Sequence, residues 1–128
     1  MTRYFLYFLL TALLLTAGCS DLDRSSKEKL AASFITAISE DDEDTFWKAF
    51  APEVQEAVIK AAGDDEDKAR TALFQTFRKS LTVKYQLKDI ENISDDEKIL
   101  QKIVSDMVSD PGKKFVEIDK EWYIKVDF

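Results

Sequence analysis

Residues 64–81, DDEDKARTALFQTFRKSL, decide the fold class because the hydrophobic period is clearest here and changes directly afterwards. Within this stretch apolar residues recur at every fourth position, the spacing of one face of an α-helix, at Ala69, Leu73, Phe77 and Leu81. Beyond residue 81 the period is two, with apolar Val83, Tyr85 and Leu87 separated by polar residues, as in a half-buried strand. The two patterns predict a long helix, then a strand over residues 83–87, and therefore a mixed fold.

Upstream of this stretch the chain carries further helical patterns. Ser25 and Glu28 have the spacing of a capping box, and apolar residues then repeat at helical intervals up to residue 39. Residues 41–45 are polar and able to cap a short second helix, and Pro52 suits the first turn of a third helix, which stops at Gly63. The first half of the chain is therefore predicted to be a layer of helices.

Downstream of the predicted strand, the pattern becomes irregular and then helical again. Ile90 and Ile93 break the alternation, so we expect a bulge or a bend near residues 89–91. Ser94 and Glu97 repeat the capping-box spacing ahead of a helical stripe over residues 95–108. Because short apolar runs are ambiguous, a strand over these residues remains the alternative.

A β-hairpin is predicted at the C-terminus, with strands on either side of residues 119–121. A turn of three residues would place Val116 and Ile118 on the same face as Trp122, whereas a turn of two would place them on opposite faces. We therefore expect the three-residue turn. Since it contains neither Gly nor Asn, we also expect mild backbone strain.

The run EWYIKV at residues 121–126, placed after a helical first half, is similar to the closing strand of small bacterial lipoproteins with the nuclear-transport-factor-like cone fold. In that family an N-terminal helical segment packs into the concave face of a bent sheet, usually of four or more strands. The resemblance implies an α+β fold, with N-terminal helices packed on a small curved, cone-like antiparallel sheet and a C-terminal β-hairpin. It would cover residues 25–128 as a single domain.

The composition excludes several kinds of chemistry. The chain has 25 acidic and 18 basic residues and a formal net charge of −7, which argues against nucleic acid as a partner. It has no histidine and one cysteine, which excludes Ser-His-Asp and Cys-His catalysis, histidine-ligated zinc and internal disulfides. With only three glycines it lacks a phosphate-binding loop and a dinucleotide fingerprint, and we predict no cofactor.

The first residues resemble a bacterial lipoprotein signal. Arg3 is followed by an apolar run over residues 4–16. As a helix this run would rise about 20 Å, short of the roughly 30 Å hydrocarbon core of a bilayer. It leads into LTAGC at residues 15–19, which looks like a lipobox ending in Cys19. An ordinary secretory signal that leaves a free thiol is the alternative.

A lipobox implies that residues 1–18 are removed, that diacylglycerol is attached to the Cys19 thiol, and usually that the new amino group is acylated. Residues 19–24 would then be the lipidated cysteine and a short tether to the membrane. In the sorting pattern of bacteria with two membranes, a serine such as Ser20 after the cysteine implies the periplasmic face of the outer membrane. The resemblance therefore predicts a lipid-anchored protein of the cell envelope.

Acidic residues are concentrated in two runs, at residues 40–44 and 64–67. Several neighbouring carboxylates could hold calcium, but neither run has the alternating spacing and central glycine of an EF-hand loop. Both runs fall at predicted helix starts, as does the acidic run at residues 95–97, where carboxylates cap free amides. We therefore predict helix caps and no metal site.

Aromatic residues are the remaining candidates for a pocket or an interface, although core packing is the simpler interpretation of their spacing. These candidates are Trp47, Phe50, Phe77, Tyr85, Trp122 and Tyr123. For catalysis, Tyr85 and Asp89 are the pocket-side residues that the sequence offers, since no spacing singles out a carboxylate pair.

These observations predict a non-catalytic, lipid-anchored envelope protein that binds a protein partner or a small ligand. Its acidic surface suits a basic partner. One alternative is a small hydrolase or isomerase that uses an aromatic-lined pocket. Another is a purely structural surface protein.

Overall fold

The computed structural model describes residues 22–110 and 115–126, so the predicted signal and Cys19 lie outside the described residues. In this part of the chain, helices precede a two-stranded antiparallel sheet. In chain order the elements are α1 (Lys27–Ser39), α2 (Glu43–Lys48), α3 (Pro52–Ala61), α4 (Glu66–Lys84), a 3-10 helix (Ile90–Asp95), α5 (Glu97–Ser109), β1 (Phe115–Ile118) and β2 (Glu121–Ile124). The predicted α+β class, with N-terminal helices and a C-terminal β-hairpin, is confirmed.

The acidic runs supply helix caps, as predicted. The side chains of Asp42, Asp65 and Asp96 accept hydrogen bonds from the backbone amides three residues later, at 3.2, 3.1 and 3.3 Å. Each carboxylate therefore satisfies an amide that has no partner within the helix and lies at the positive end of the helix dipole.

The predicted capping boxes are wrong by one and two residues. Ser26, not Ser25, caps α1, since its Oγ accepts from the Lys29 amide at 3.1 Å. Asp96, not Ser94, caps α5. Each of these helices follows several polar residues that are able to cap, so the spacing alone does not identify the residue that is used.

Helix α1 runs through the centre of the core, where Leu30, Phe34, Ile35 and Ile38 are at most 1% exposed. The Phe34 ring packs against three other phenylalanine rings with centroids 5.1 to 5.5 Å apart. Further phenylalanine rings from α2, α4 and the link between α2 and α3 pack in the same way. We name this set the phenylalanine cluster; its members are Phe34, Phe46, Phe50, Phe74 and Phe77.

The predicted strand over residues 83–87 is wrong, because α4 continues to Lys84. Phe77, Leu81 and Tyr85 recur at every fourth position and pack against the core, whereas Val83 is 70% exposed. Three alternating residues are too few to separate a strand from the end of a helix. The helix ends at Lys84 with Tyr85 as its C-cap, and the following Gln86 has a positive φ of 52°.

The chain bends at Lys88, next to the position predicted for a bulge or a bend, and residues 90–95 then form a 3-10 helix. Ile90 and Ile93 are buried in the core, and the Ser39 hydroxyl donates a hydrogen bond to the Glu91 carbonyl oxygen (3.1 Å). The helix predicted over residues 95–108 is confirmed as Glu97–Ser109, and the alternative strand is wrong. Without a preceding strand there is no ladder in which a bulge could form.

The hairpin turns over two residues rather than the predicted three, since Ile118 pairs with Glu121. In this register Trp122 lies opposite Glu117 and shares a face with it, so the expectation that Ile118 shares the face of Trp122 is wrong. Asp119 and Lys120 have positive φ angles of 52° and 67°. The expected backbone strain is therefore confirmed, because two-residue turns of this kind favour Asn and Gly at both positions.

The other edge of β2 is bonded to two earlier segments. The Trp122 amide donates to the Arg24 carbonyl oxygen (3.0 Å), and the Ile124 amide donates to that of Ala49 (2.8 Å). The Ala51 amide in turn donates to the Ile124 carbonyl oxygen (2.8 Å). The sheet described here has two strands, whereas the cone-fold family usually has four or more, and the resemblance to that family stays a prediction.

Candidate binding cavity

The aromatic candidates occupy three different places. Trp47 and Phe50 are buried in the core, at 5% and 1% exposed. Trp122 and Tyr123 lie on β2 beside the start of the domain. Only Phe77 and Tyr85 line a common cavity.

This cavity has a volume of about 190 Å³ and lies between α1, α4 and α5. Its apolar lining comes from Phe34, Ile35, Phe77, Leu81 and Met107, and its polar lining from Thr76, Ser80, Lys84, Tyr85, Asp106 and Asp110. An apolar cavity of about 150 Å³ admits benzene. The present cavity therefore has room for an apolar group somewhat larger than a benzene ring.

The three helices place these side chains by their own periodicity. Phe77 and Leu81 on α4 and Tyr85 at its C-cap follow one another at intervals of four and face the core side. On α5, the buried residue Met107 lies next to the half-buried Asp106 at the edge of the apolar stripe. An apolar floor with a polar mouth is the result.

A hydrogen-bonded pair marks the mouth of the cavity. The Tyr85 hydroxyl donates to Asp106 Oδ2 at 2.7 Å, and Lys84 Nζ lies 5.5 Å from the centroid of the Tyr85 ring. Burial, reinforced by the neighbouring Asp106 carboxylate, raises the pKa of Tyr85 to about 12. The phenol therefore remains protonated at neutral pH and donates a hydrogen bond rather than acting as a base.

Of the two pocket-side candidates for catalysis, Tyr85 lines this cavity and Asp89 does not, although both residues line a separate surface groove. Asp89 instead begins the 3-10 helix, where its carboxylate accepts from the Glu91 amide (3.0 Å) and from Asn92 Nδ2 (2.9 Å). Asp106 is 21 positions from Tyr85. The sequence feature that could have identified Asp106 is its position directly before Met107, a buried residue in the helical apolar stripe of α5.

The raised pKa of Tyr85 predicts a loss of stability in alkali. The unfolded chain loses the phenol proton near the ordinary pKa of 10.0, whereas the folded protein retains it up to about pH 12. The stability that the protonated Tyr85 phenol contributes to the folded state is therefore fully present below about pH 10 and is lost as the pH rises through about 12. We expect the free energy of unfolding to fall more steeply across this interval in the wild type than in Tyr85→Phe.

Urea unfolding at several alkaline pH values measures this difference, and near-ultraviolet absorbance of the phenolate follows the titration directly. Asp106→Asn is the matched control. It should lower the pKa of Tyr85 only partway, since burial remains the first cause of the shift. Equal alkaline slopes for the wild type and Tyr85→Phe would contradict the assignment.

A larger and more open groove of about 680 Å³ lies between α3 and α4. Its walls are mainly small apolar residues, with Lys68 and Thr76 as the polar exceptions. A wall of alanines offers contact area but few groups that would fix the orientation of a ligand. We therefore regard the smaller cavity, with its hydrogen-bonded mouth, as the better candidate.

Some carboxylates of the two acidic runs pair with an arginine of the same chain. Arg70 lies 3.7, 3.2 and 2.9 Å from carboxylate oxygens of Glu43, Asp44 and Asp67. Across residues 22–110 and 115–126, no group of three or more acidic or cysteine side chains is arranged to hold a metal ion.

Comparisons with known proteins give no relative from which to transfer a function. No family model matches the chain, and no curated protein or solved structure matches it at a significant level. Among the described helices, none is both long enough and apolar enough to cross a bilayer.

Proposed function

We propose that this protein is a lipoprotein, anchored by acyl chains on Cys19 to the cell envelope, whose domain binds a ligand without catalysis. The sequence LTAGC at residues 15–19 supports the anchor. In bacteria with two membranes the position of Ser20 supports the periplasmic face of the outer membrane. Two or more acyl chains on one cysteine provide a stable attachment without a basic patch.

The 190 Å³ cavity carries the binding part of this proposal. Its floor is apolar, so an alkyl or aryl group gains free energy by leaving water. The polar group of the ligand would lie at the mouth, near the Tyr85–Asp106 pair. The ligand is a small molecule or an apolar side chain presented by a protein partner.

Two observations favour binding over catalysis. The phenol at the mouth has a pKa of about 12, far from the value that suits a general base at neutral pH. Its partner Asp106 already accepts the phenol hydrogen bond. The described mouth thus contains a pair that orients a polar group, and no histidine or cysteine nucleophile.

Filling the cavity should abolish binding of a simple alkyl probe. 1-Octanol is a suitable probe, because its alkyl chain can leave water for the apolar floor while its hydroxyl stays at the polar mouth. Ser80 is exposed and lines the cavity, so Ser80→Trp should obstruct it with little effect on folding. Titration of the protein with octanol, followed by NMR shifts of the cavity residues, should give a Kd at least about tenfold higher for this variant.

Lys79→Trp is the matched control, because residue 79 is adjacent, exposed and outside the cavity lining; its Kd should equal that of the wild type. Equal binding by both variants would show that the cavity is not the site. Hydrolysis of a short aryl ester that is lost in Tyr85→Phe would favour the alternative, a small hydrolase.

A further inference from the structure

Residues 22–24, the last part of the predicted tether, are bound to the domain. Leu22 packs against the hydrophobic core, and the Asp23 amide donates to Ser33 Oγ at 3.0 Å. The Arg24 carbonyl oxygen accepts from the Trp122 amide at 3.0 Å. The domain therefore includes residues 22–24, and Cys19 precedes Leu22 by only three positions in the sequence.

Arg24 also fixes the direction in which the chain enters. Its guanidinium lies 4.6 Å from the centroid of the Tyr123 ring, and Nη2 donates to the Lys48 carbonyl oxygen at the end of α2. Cation–π contact and a charge-assisted hydrogen bond hold the side chain at two points. Arg24 thus contacts both β2 and the end of α2.

Basic and aromatic side chains surround this entry point. Lys27 Nζ lies 5.1 Å from the centroid of the Trp122 ring, Lys48 is exposed, and both Trp122 and Tyr123 are half-buried. We call this set, Arg24, Lys27, Lys48, Trp122 and Tyr123, the hairpin-end surface. Four exposed carboxylates lie on or next to this surface and offset its three cationic side chains, so it carries no net positive charge; they are Asp23, Glu28, Glu117 and Glu121.

The opposite end of the molecule is strongly acidic. Helix α1 rises about 20 Å over its length and leads into the acidic run at residues 40–44. The two arginines there are each shared among several carboxylates: Arg78 lies 3.3 Å from Asp41 and 3.5 Å from Glu91, and Arg70 contacts three others. Negative charge therefore remains in excess at this end.

We infer that the hairpin-end surface rests on an anionic phospholipid bilayer, with the acidic end of α1 pointing away from it. Cys19 precedes Leu22 by three positions, so the lipidated residue lies at most about 11 Å from the docked segment. Lysine, arginine, tryptophan and tyrosine are the side chains suited to the interface between headgroups and water. An anionic surface also repels the acidic end.

This inference rests on the proposed lipid anchor, and the test separates the two. The full-length lipidated protein is reconstituted into vesicles of phosphatidylethanolamine and phosphatidylglycerol. Because lipid occupies the sole native thiol, a new cysteine is a unique site for a nitroxide label. Lys27→Cys and Glu66→Cys form a matched pair, since Lys27 and Glu66 are each the exposed first residue of a helix. Lys27 belongs to the hairpin-end surface, whereas Glu66 lies outside it.

The accessibility of each label to a water-soluble nickel chelate gives the result. We expect accessibility at residue 27 to fall several-fold on the vesicles relative to detergent micelles, and accessibility at residue 66 to remain unchanged. Insertion of a Gly-Ser linker of about ten residues after Ser20 should restore accessibility at residue 27 partway, because the domain can then leave the surface.

Flotation of the same samples on a density gradient measures whether the protein is attached to the vesicles. Protein that does not float with the vesicles would overturn the anchoring proposal. Protein that floats while residues 27 and 66 are equally accessible would overturn the orientation and leave the anchor standing. Equal protection at residue 27 on purely zwitterionic phosphatidylcholine vesicles would also overturn the choice of an anionic surface.

Discussion

Replacement of Phe46 by alanine is expected to lower the free energy of unfolding by about 3–5 kcal/mol. Phe46 is fully buried and contacts every other member of the phenylalanine cluster. Its ring centroid lies 5.1 Å from those of Phe34 and Phe74, 5.2 Å from that of Phe50 and 5.6 Å from that of Phe77. Removal of the ring leaves a cavity between three helices that the backbone cannot close.

A loss of this size is a large fraction of the roughly 5–15 kcal/mol that stabilises a typical domain. Urea unfolding followed by far-ultraviolet circular dichroism measures it. Val83→Ala is the control, since Val83 is 70% exposed on α4 and should change stability by less than about 0.5 kcal/mol. A decrease below about 1.5 kcal/mol for Phe46→Ala would mean that the phenylalanine cluster is not the centre of the core.

The second large effect is expected for Cys19→Ser. The wild type should incorporate an alkyne-labelled fatty acid and partition into the detergent phase. The variant should carry no label and its processed form should remain in the aqueous phase. The physical reason is that each buried methylene of an acyl chain contributes about 0.8 kcal/mol, and two or three chains on one residue give stable attachment.

Ser20→Asp is the matched control because it changes the adjacent residue and keeps the thiol. It should be labelled as fully as the wild type. In a host with two membranes it should move from the outer to the inner membrane on a density gradient. A label that persists in Cys19→Ser, or a free thiol in wild-type protein from its native host, would refute the lipid anchor and with it the orientation inferred for the hairpin-end surface.

Most helices and the hairpin could be predicted from local patterns, but the segment between residues 83 and 95 and the ends of several helices could not. Helix α5 is correctly predicted because its stripe extends over several turns. The strand after residue 81 is wrong because Tyr85 fits both a period of two and the helical interval that links it to Leu81. Packing decides between them, since only the helix places Tyr85 in contact with the core and with Asp106.

In the hairpin, too, a local pattern predicts the position of the element, whereas contacts with distant residues decide its details. Its position follows from alternating residues on either side of a polar turn. A three-residue turn follows only if all apolar residues of the hairpin share one face. The other edge of β2 is instead bonded to Arg24, Ala49 and Ala51, and this pairing fixes the register of the strand within the domain.

By itself the sequence determined the features that depend on residues within about four positions of one another: helical stripes, acidic caps, the position of the hairpin, and the chemistry excluded by the absence of histidine. Only the tertiary structure decided the contacts between distant residues. These are the Tyr85–Asp106 pair at the cavity and the docking of Arg24 on β2. Such contacts require the core to pack first, and no local period or spacing records which remote side chains that packing brings together.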